Sequence, residues 1–201
     1  PEIIKIRSLI ASGRIGKLIS VRGIGISPRT KSYYTRNNWV GKIKNNGMWV
    51  LDSPANNAFA HYLHLSCLFA NSAMESVEAQ LFKVNGGIEC ADNACIHAVT
   101  ASGCDILFYS THTPDVETSM LKVIVEGSLG SIEWTPAQTV YKFGTETVTE
   151  TNPPPGTATT LQADALLDKI RGKQVEICGL GNAFPHTLLI NGAHDSTVII
   201  N

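Results

Sequence analysis

Polar side chains recur at helical spacing in one segment of the first half of the chain. Asn57, His61 and His64 lie three or four residues apart, with Asn56 beside them, and would form one polar face of a helix. Asparagine amides can hydrogen-bond the hydroxyl groups of a ligand. An imidazole ionises near neutral pH and can take up a proton. His61 is therefore a candidate proton acceptor.

The same face has plainer interpretations. His61 fits a solvated or hydrogen-bonded helix surface as well as it fits a catalytic site, and for His64 the surface interpretation is favoured. A metal site at the His61-x-x-His64 pair is not expected, because no acidic or cysteine ligand stands at a supporting spacing. His112 and His186 fall near the ends of predicted elements, and no role is assigned to them.

A second group of candidates lies in the polar loop predicted over residues 28–46. It combines aromatic, basic and amide side chains, namely Tyr33, Tyr34, Arg36, Asn38, Trp39 and Lys42. Aromatic faces pack against sugar C–H groups, while Arg and Asn bind hydroxyls or a carboxylate. The loop therefore predicts a carbohydrate-like small-molecule ligand, with Tyr34, Arg36 and Trp39 as binding residues. Alternatively, it is a surface loop whose aromatic side chains seal the sheet.

Composition describes an ordinary folded domain. The chain has 201 residues, 43% of them hydrophobic, and 16 basic against 17 acidic side chains give a net charge of −1. Without a basic face or arm, a nucleic-acid partner is not expected. The longest apolar runs, such as Met48–Leu51, are too short to span a membrane.

The cysteines and the chain start indicate the setting. Five cysteines form an odd, sparse set without a CxxC pair, which is typical of reduced thiols inside the cell. No signal segment opens the chain, so a cytoplasmic location is expected. The chain starts at Pro1 and enters a helix at once, which suggests a fragment of a longer protein.

Apolar periodicity predicts four helices, over Glu2–Ser12, Pro54–Ala70, Thr159–Arg171 and Asn182–His194. Ser53 and Pro54 suit the cap and first position of the second helix. Its apolar stripe consists of Ala55, Phe59, Leu63 and Cys67. Thr159 and Gln162 fit a capping box for the third helix, whose buried face is predicted to be Ala163, Leu166, Leu167 and Ile170.

Strand patterns fill the rest. They are predicted over Leu18–Ile26, Met48–Leu51, Glu78–Val84, Ala94–Ala101, Asp105–Thr111, Ser119–Val125, Ser131–Trp134 and Thr139–Phe143. Because short turns join successive strands from Glu78 onward, the sheet is expected to be predominantly antiparallel. The prediction is a single α+β domain over residues 1–201: an open-faced sheet with helices packed on one face.

Three segments resemble the Gfo/Idh/MocA oxidoreductases, the family of glucose–fructose oxidoreductase and inositol dehydrogenase. They are Leu9–Leu18 (LIASGRIGKL), Gly47–Asp52 (GMWVLD) and Ile124–Trp134 (IVEGSLGSIEW). The first is similar to the passage after the family's nucleotide-binding domain. The second is similar to its glycine-rich strand that ends in Asp, and the third to a late hairpin of its sheet. Element order extends the match over nearly the whole chain.

The resemblance implies a C-terminal substrate-binding and oligomerisation domain, with a second copy of the chain as partner through the exposed sheet face. It also implies NAD or NADP in the full-length protein, bound mainly by a Rossmann domain ahead of this one. No cofactor-binding residue is expected here. Gly23-Ile24-Gly25 is followed by Pro28 and a polar loop instead of a helix, and Gly179-Leu180-Gly181 lacks a preceding strand.

The resemblance also assigns chemistry to Asp52, which matches the family's Asp at the strand end. In the family a His follows four residues later, and the two groups bind substrate hydroxyls and help to move the proton that accompanies hydride transfer. Here that position is Asn56, and an amide cannot accept the proton. Asp52 and His61 are therefore the predicted catalytic pair, facing one pocket, with Asn56 and Asn57 as substrate-binding residues. Alternatively, Asp52 only places a charge at the end of a helix.

Three functions follow from these residues. The first is the C-terminal domain of an NAD(P)-dependent oxidoreductase for a sugar, polyol or related hydroxy compound. The second is an NAD-dependent glycosidase of the same superfamily, since Asn56 leaves room for an altered site. The third is a non-catalytic ligand-binding or oligomer-forming domain, because a fold alone does not fix chemistry.

Overall fold

A computed structural model describes residues 2–115, 118–154, 156–175 and 177–201. The helices are α1 (Glu2–Ala11), α2 (Lys31–Thr35), α3 (Ala60–Ala70), α4 (Thr157–Ile170) and α5 (Leu180–Ser196). The strands are β1 (Leu18–Ile26), β2 (Lys44–Asn45), β3 (Met48–Trp49), β4 (Met74–Phe82), β5 (Asn93–Thr100), β6 (Asp105–Thr111), β7 (Met120–Gly127), β8 (Gly130–Trp134), β9 (Gln138–Phe143), β10 (Glu146–Thr151) and β11 (Ile199–Ile200).

Within the described ranges, nine strands form one sheet in the order β10-β9-β8-β7-β1-β6-β5-β4-β11. Most neighbours are antiparallel, which confirms the predicted α+β class. β1 is parallel to β6, however, and β11 is parallel to β4, so the sheet is mixed. β1 precedes the meander in sequence but lies in its middle, between β6 and β7. β1 and β6 are therefore not joined by a hairpin, which would force them to be antiparallel.

Alternation along each strand separates the two faces of the sheet. In β6, Ile106 and Phe108 are fully buried, whereas Tyr109 is 41% exposed on the other face. α3 packs against β1, β6 and β7, α5 packs against β4, and α1 and α5 pack against α3. The opposite face carries charged pairs: Arg22 with Glu126, His97 with Asp105, and Lys122 with Glu133.

Two glycines let aromatic rings lie directly over β1. A Cβ atom at Gly23 would lie 2.4 Å from Cδ2 of Phe108, and one at Gly25 would lie 2.6 Å from Cγ of Phe59. Close-packed interiors do not tolerate carbon atoms at such distances. Gly23 and Gly25 therefore serve packing within a strand.

The predicted helix from Pro54 is wrong in its first part, because α3 begins at Ala60. Residues 54–59 form turns in which the Ser53 hydroxyl still accepts a hydrogen bond from the Asn56 N–H (3.2 Å). Phe59, with φ −117° and ψ 14°, interrupts the helical backbone. The predicted apolar stripe is confirmed, since all of its members are buried: Ala55, Phe59, Leu63 and Cys67.

The strand predicted over Met48–Leu51 is not part of the large sheet. β3 pairs only with β2 in a small antiparallel ribbon, and Met48 and Trp49 are 70% and 67% exposed. Leu51 has a positive φ of 48°, which ends the extended backbone. The loop predicted over residues 28–46 likewise contains the short helix α2 and β2.

The third predicted helix forms, as α4, but its predicted buried face is wrong. None of its described residues is buried, and Leu166 and Ile170 are 52% and 74% exposed. The cap residue is Gly156 instead of Thr159, without a side-chain hydrogen bond, so the capping box is also wrong. The sequence does place apolar residues at helical spacing in α4. Among the described elements, however, none makes an extensive contact with this helix. The last predicted helix is confirmed as α5 and runs slightly longer at both ends.

Across the described residues, the helices fall short of the length and apolarity needed to cross a lipid bilayer.

Replacing Gly25 by alanine should destabilise the domain by about 1–3 kcal/mol, because the new Cβ collides with the Phe59 ring. Urea unfolding followed by circular dichroism measures the change. Gly86→Ala is the matched control, since a Cβ there meets nothing within 4 Å. Equal stability of the two variants would contradict the close packing at Gly25.

Candidate functional site

The parallel ends of β1 and β6 place two distant segments side by side. The N–H of Arg29 donates to the carbonyl oxygen of His112 (2.9 Å), and Nδ1 of His112 lies 2.8 Å from the carbonyl oxygen of Ser27. A carbonyl oxygen only accepts, so Nδ1 carries the proton in this pair. The chain therefore continues the β1–β6 pairing beyond the sheet, at the edge where ligands of parallel strands commonly bind.

Asp52 is a buried carboxylate that joins two loops. Its side chain is bonded at both oxygens, at 2.6 Å each: Oδ2 accepts the backbone N–H of Gly41, and Oδ1 accepts Nδ2 of Asn57. Asp52 is 8% exposed. The structure thus brings the predicted residues Asp52 and Asn57 into direct contact and fixes the orientation of the Asn57 amide.

Asn56 stands at the position where the resemblance predicts histidine, and it has a structural contact. Its Nδ2 group donates to the carbonyl oxygen of Leu51 (3.2 Å), while its backbone N–H donates to Ser53. The amide holds the turn between β3 and α3. Asn57, one residue on, is exposed and keeps its Oδ1 atom available to a ligand.

His61 is exposed on the first turn of α3. His61 interacts electrostatically with His64 and His186. Burial lowers the pKa of both of these residues. The imidazole of His61 lowers the two pKa values further, and that of His64 also lowers the pKa of His186. Cys178 extends the group, with Sγ 3.7 Å from Nε2 of His64. Within the described ranges, no cluster of three or more His, Cys, Asp or Glu side chains has a geometry that could hold a metal ion.

Sequence reasoning missed His186, which α5 brings to the α3 imidazoles. No local pattern reports this position, because it depends on the packing of α5 against α3, far apart in sequence. The predicted pocket shared by Asp52 and His61 remains a prediction. Asp52 is buried and His61 is exposed, and the cleft described below includes neither in its lining.

The aromatic loop is organised around Tyr33. Its ring contacts that of Tyr34 edge-on (centroids 5.2 Å apart), and the Arg36 guanidinium lies 4.1 Å above it and 5.8 Å from the ring of Trp39. Burial raises the pKa of Tyr34, and the charges of Asp92 and Asp52 add to this effect. The structure therefore brings Tyr34 beside Gly41, whose N–H group donates to Asp52, and groups Arg36 with Trp39.

His112 is a second residue that sequence reasoning missed. It is 4% exposed and lies between the rings of Tyr33 and Phe59, with centroids 5.9 and 6.0 Å away. Burial lowers its pKa, which the hydrogen bond to Ser27 opposes. Its position at a strand end was visible in the sequence, but its neighbours are contributed by segments distant in the chain.

A cleft of about 580 Å³ opens beside these residues. Its walls come from the end of β1, the start of α3, the start of β7 and the turn between β8 and β9. The side chains that carry polar or aromatic groups are Ser27, Arg29, Phe59, Tyr62, Ser119 and Thr135. The size falls in the range of small-molecule sites.

Acidification should destabilise the domain. The pKa values of His64, His112, His186 and His194 are lowered from 6.5, with burial as the first cause in each. The unfolded chain therefore binds more protons than the folded one below pH 6.5. Stability is complete above pH 6.5 and decreases as the pH falls through the lowered folded-state values.

Urea unfolding between pH 7 and roughly 5.5, above the range in which most carboxyl groups titrate, measures this loss. His112→Phe should reduce the slope of stability against pH, because it removes one of the buried imidazoles. A slope unchanged by that substitution, or stability that rises on acidification, would contradict the assignment.

The chain was compared with known proteins. A family model described as the GFO/IDH/MocA C-terminal domain matches residues 3–133. No curated protein matches the chain. Similar solved structures include an aldose-aldose oxidoreductase from Caulobacter crescentus complexed with glycerol, at 16% identity and a TM-score of 0.77, covering 97% of this chain and 58% of that one.

Two further structures are similar. The WlbA dehydrogenase from Bordetella pertussis, in complex with NADH and UDP-GlcNAcA, matches at 18% identity and a TM-score of 0.74 over 96% of this chain and 56% of its own. An oxidoreductase from Agrobacterium radiobacter, in complex with NAD+, L-tartaric acid and magnesium, matches at 12% identity and a TM-score of 0.76 over 96% and 58%. At these identities the likeness shows the fold alone.

The chain spans less than two thirds of the length of these structures. The family model, in contrast, matches more than half of the chain itself, and its match begins at α1 and ends in β8. The resemblance seen in the three sequence segments is thereby confirmed, and the chain belongs to the Gfo/Idh/MocA family as a C-terminal domain.

Proposed function

We propose that this chain is the substrate-binding domain of an NAD- or NADP-dependent oxidoreductase that acts on a sugar, polyol or related hydroxy compound. We further propose that a dinucleotide-binding domain precedes it in the full-length protein. Family membership supports the proposal, as do the nicotinamide cofactors and sugar-related ligands of the similar structures. The five free cysteines favour a reducing, cytoplasmic setting.

The contact between Asp52 and Asn57 is the observation that carries the proposal. A buried carboxylate is costly unless it is hydrogen-bonded, and here it orients the exposed amide of Asn57. The exposed imidazole of His61 follows four residues later, in the first turn of α3, so a ligand can reach both groups. Such a pair suits a hydroxyl-bearing substrate.

Oxidation of a carbinol moves a hydride and a proton in different directions. The nicotinamide, when bound, accepts the hydride. In this proposal Oδ1 of Asn57 accepts a hydrogen bond from a substrate hydroxyl, and His61 takes the proton of the reacting hydroxyl. Asp52 acts as a positioning residue, because both of its oxygens already accept hydrogen bonds from Gly41 and Asn57.

Gly23 and Gly25 are not placed as the glycines of a dinucleotide-binding turn are. Gly23 and Gly25 lie inside β1 with phenyl rings packed over them, whereas such a turn joins a strand to a helix N-terminus. The proposal therefore assigns the pyrophosphate to the preceding domain. The cleft and the α3 side chains described above are left for substrate.

The test uses the full-length protein, screened against sugars and polyols with NAD+ and NADP+ by the absorbance of the reduced nicotinamide. His61→Gln should lower kcat roughly 10²- to 10⁴-fold, as loss of a general base does. Asp52→Asn should lower kcat/KM roughly tenfold or more, because an asparagine has one acceptor oxygen where Gly41 and Asn57 use two, so one contact is lost and the other is no longer charge-assisted.

Lys173→Gln is the control, since Lys173 follows α4 and is paired with Asp168, outside both the cleft and the open sheet face. Full activity of the His61 and Asp52 variants would refute the assigned roles. A full-length protein that reduces neither cofactor with any tested substrate would refute the oxidoreductase itself.

Asn56 favours one alternative reaction. With an amide tied to the Leu51 carbonyl where the family has histidine, the site lacks the usual proton acceptor at that position. An NAD-dependent glycosidase oxidises the sugar transiently, eliminates the aglycone and then restores the sugar. Release of an aglycone from a glycoside by the full-length protein, without net formation of NADH, would identify this reaction.

We also propose that the open sheet face pairs with a second copy of the chain. Tyr109 is 41% exposed there beside Leu107 and Cys95, in a shallow depression that no helix covers. Light scattering should detect a dimer or larger oligomer, and Tyr109→Glu should shift it toward monomer because a charge would be buried. Ile4→Glu, on α1, is the control. A wild-type chain that is monomeric at high concentration would exclude this surface as an interface.

A further inference from the structure

Among the described residues that line the cleft beside Phe59, one has a charged side chain, Arg29. Three other arginines of the described chain, Arg14, Arg22 and Arg171, lie within 4 Å of a carboxylate. Within the described ranges, Arg29 has no carboxylate partner, and its Nε atom is buried without a hydrogen-bond acceptor. Its guanidinium is held instead by stacking, 4.7 Å from the centre of the Tyr33 ring.

Two buried acids, Asp52 and Asp92, lie in the same region, and both are already hydrogen-bonded; Asp52 accepts from Gly41 and Asn57. The charges of Asp92 and Arg29 both act on Tyr34 and His112, so the two groups lie in one electrostatic neighbourhood. Asp92, however, accepts four hydrogen bonds, from the backbone N–H groups of Val84 and Asn85 and from the side-chain amides of Asn85 and Asn93. Arg29 therefore keeps a cation that is pre-oriented and not neutralised by direct contact.

The remaining walls of the cleft combine two kinds of surface. Phe59 and Tyr62 supply aromatic faces, and the ring of Tyr62 is supported by Trp134, 5.8 Å away. Ser27 and Ser119 supply hydroxyl groups. Aromatic faces suit the C–H groups of a sugar ring, and hydroxyl groups suit its hydroxyls.

We propose that this cleft binds a polyhydroxylated ligand with an anionic group, a carboxylate or a phosphate, held by Arg29. The inference rests on the proposed function, since it names the substrate class of the same end of the domain. The Arg29 guanidinium is already held over an aromatic ring. It therefore loses little side-chain conformational entropy when its N–H groups bind an anion. A neutral sugar would leave that charge without a partner.

The test titrates the 201-residue chain with D-glucuronate, D-glucose 6-phosphate and D-glucose, followed by amide shifts in NMR spectra. The two anionic sugars should shift the amide signals of residues around Ser27, Arg29 and Phe59 in a saturable way. The sugar with the higher affinity shows whether the site prefers a carboxylate or a phosphate. D-glucose should bind roughly ten- to one-hundred-fold more weakly. Added salt should weaken only the anionic ligands.

Arg29→Gln should reduce the affinity for the preferred anionic sugar by the same roughly ten- to one-hundred-fold factor, and Arg29→Lys by less, because it keeps the charge but not the fork. Arg14→Gln is the matched control: Arg14 also stacks 4.7 Å from an aromatic ring, that of Phe143, but does not line the cleft. Its affinity should equal that of the wild type.

Equal binding of glucose and glucuronate, unchanged affinity in Arg29→Gln, or no binding of either anionic sugar would overturn the inference. These results are separable from the proposed reaction. Saturable, Arg29-dependent binding by a protein without dehydrogenase activity would keep the inference and remove the oxidoreductase. A full-length dehydrogenase whose KM for its substrate is unaffected by Arg29→Gln would keep the oxidoreductase and remove the inference about Arg29.

Discussion

A single buried carboxylate organises the end of the domain where the candidate site lies. Asp52 accepts hydrogen bonds from Gly41, before the small β2–β3 ribbon, and from Asn57, before α3. Desolvation of a carboxylate is unfavourable, and charge-assisted hydrogen bonds to both oxygens offset that cost. The same contacts connect the aromatic loop to the α3 segment, so candidate binding residues from two parts of the sequence share one support.

The site is built from residues with different degrees of freedom. Asn56, Asp52 and His112 are fixed by hydrogen bonds to the backbone or to neighbouring side chains. The side chains of Asn57 and His61 are exposed. Among the described residues, the Asn57 side chain is held by one hydrogen bond, to Asp52. Pre-oriented groups beside accessible ones are what a ligand site requires, because ordering is completed before the ligand arrives.

Local patterns in the sequence account for much of the fold. Alternation identified six strands of the meander but not its edge strand β10, and the apolar stripe of α3 is buried as periodicity predicts. The start of α3 was misplaced because Ser53 and Pro54 are genuine helix-start signals, yet Phe59 breaks the backbone before Ala60. The apolar side of α4 was predicted to be buried, and periodicity cannot tell whether a covering element exists.

Long-range contacts explain what the sequence could not reveal. Asp52, Asn57, Tyr34 and Arg36 were identified from residue type and resemblance, and the structure groups Asp52 with Asn57 and Tyr34. His112 and Arg29 were not singled out as site residues. They meet because β1 and β6 pair in parallel across 85 residues, and a parallel pairing leaves no turn signature between its strands.

The central place of β1 also bears on how the chain acquires its fold. Both of its partners, β6 and β7, are encoded far downstream, so neither edge of β1 can be satisfied until most of the meander exists. Pairing over such separations requires closure of large loops, which slows folding relative to a hairpin-only sheet. During synthesis on the ribosome, β1 therefore has no strand partner until β6 and β7 have been made. A chaperone that bound β1 would cover its apolar side chains in that interval.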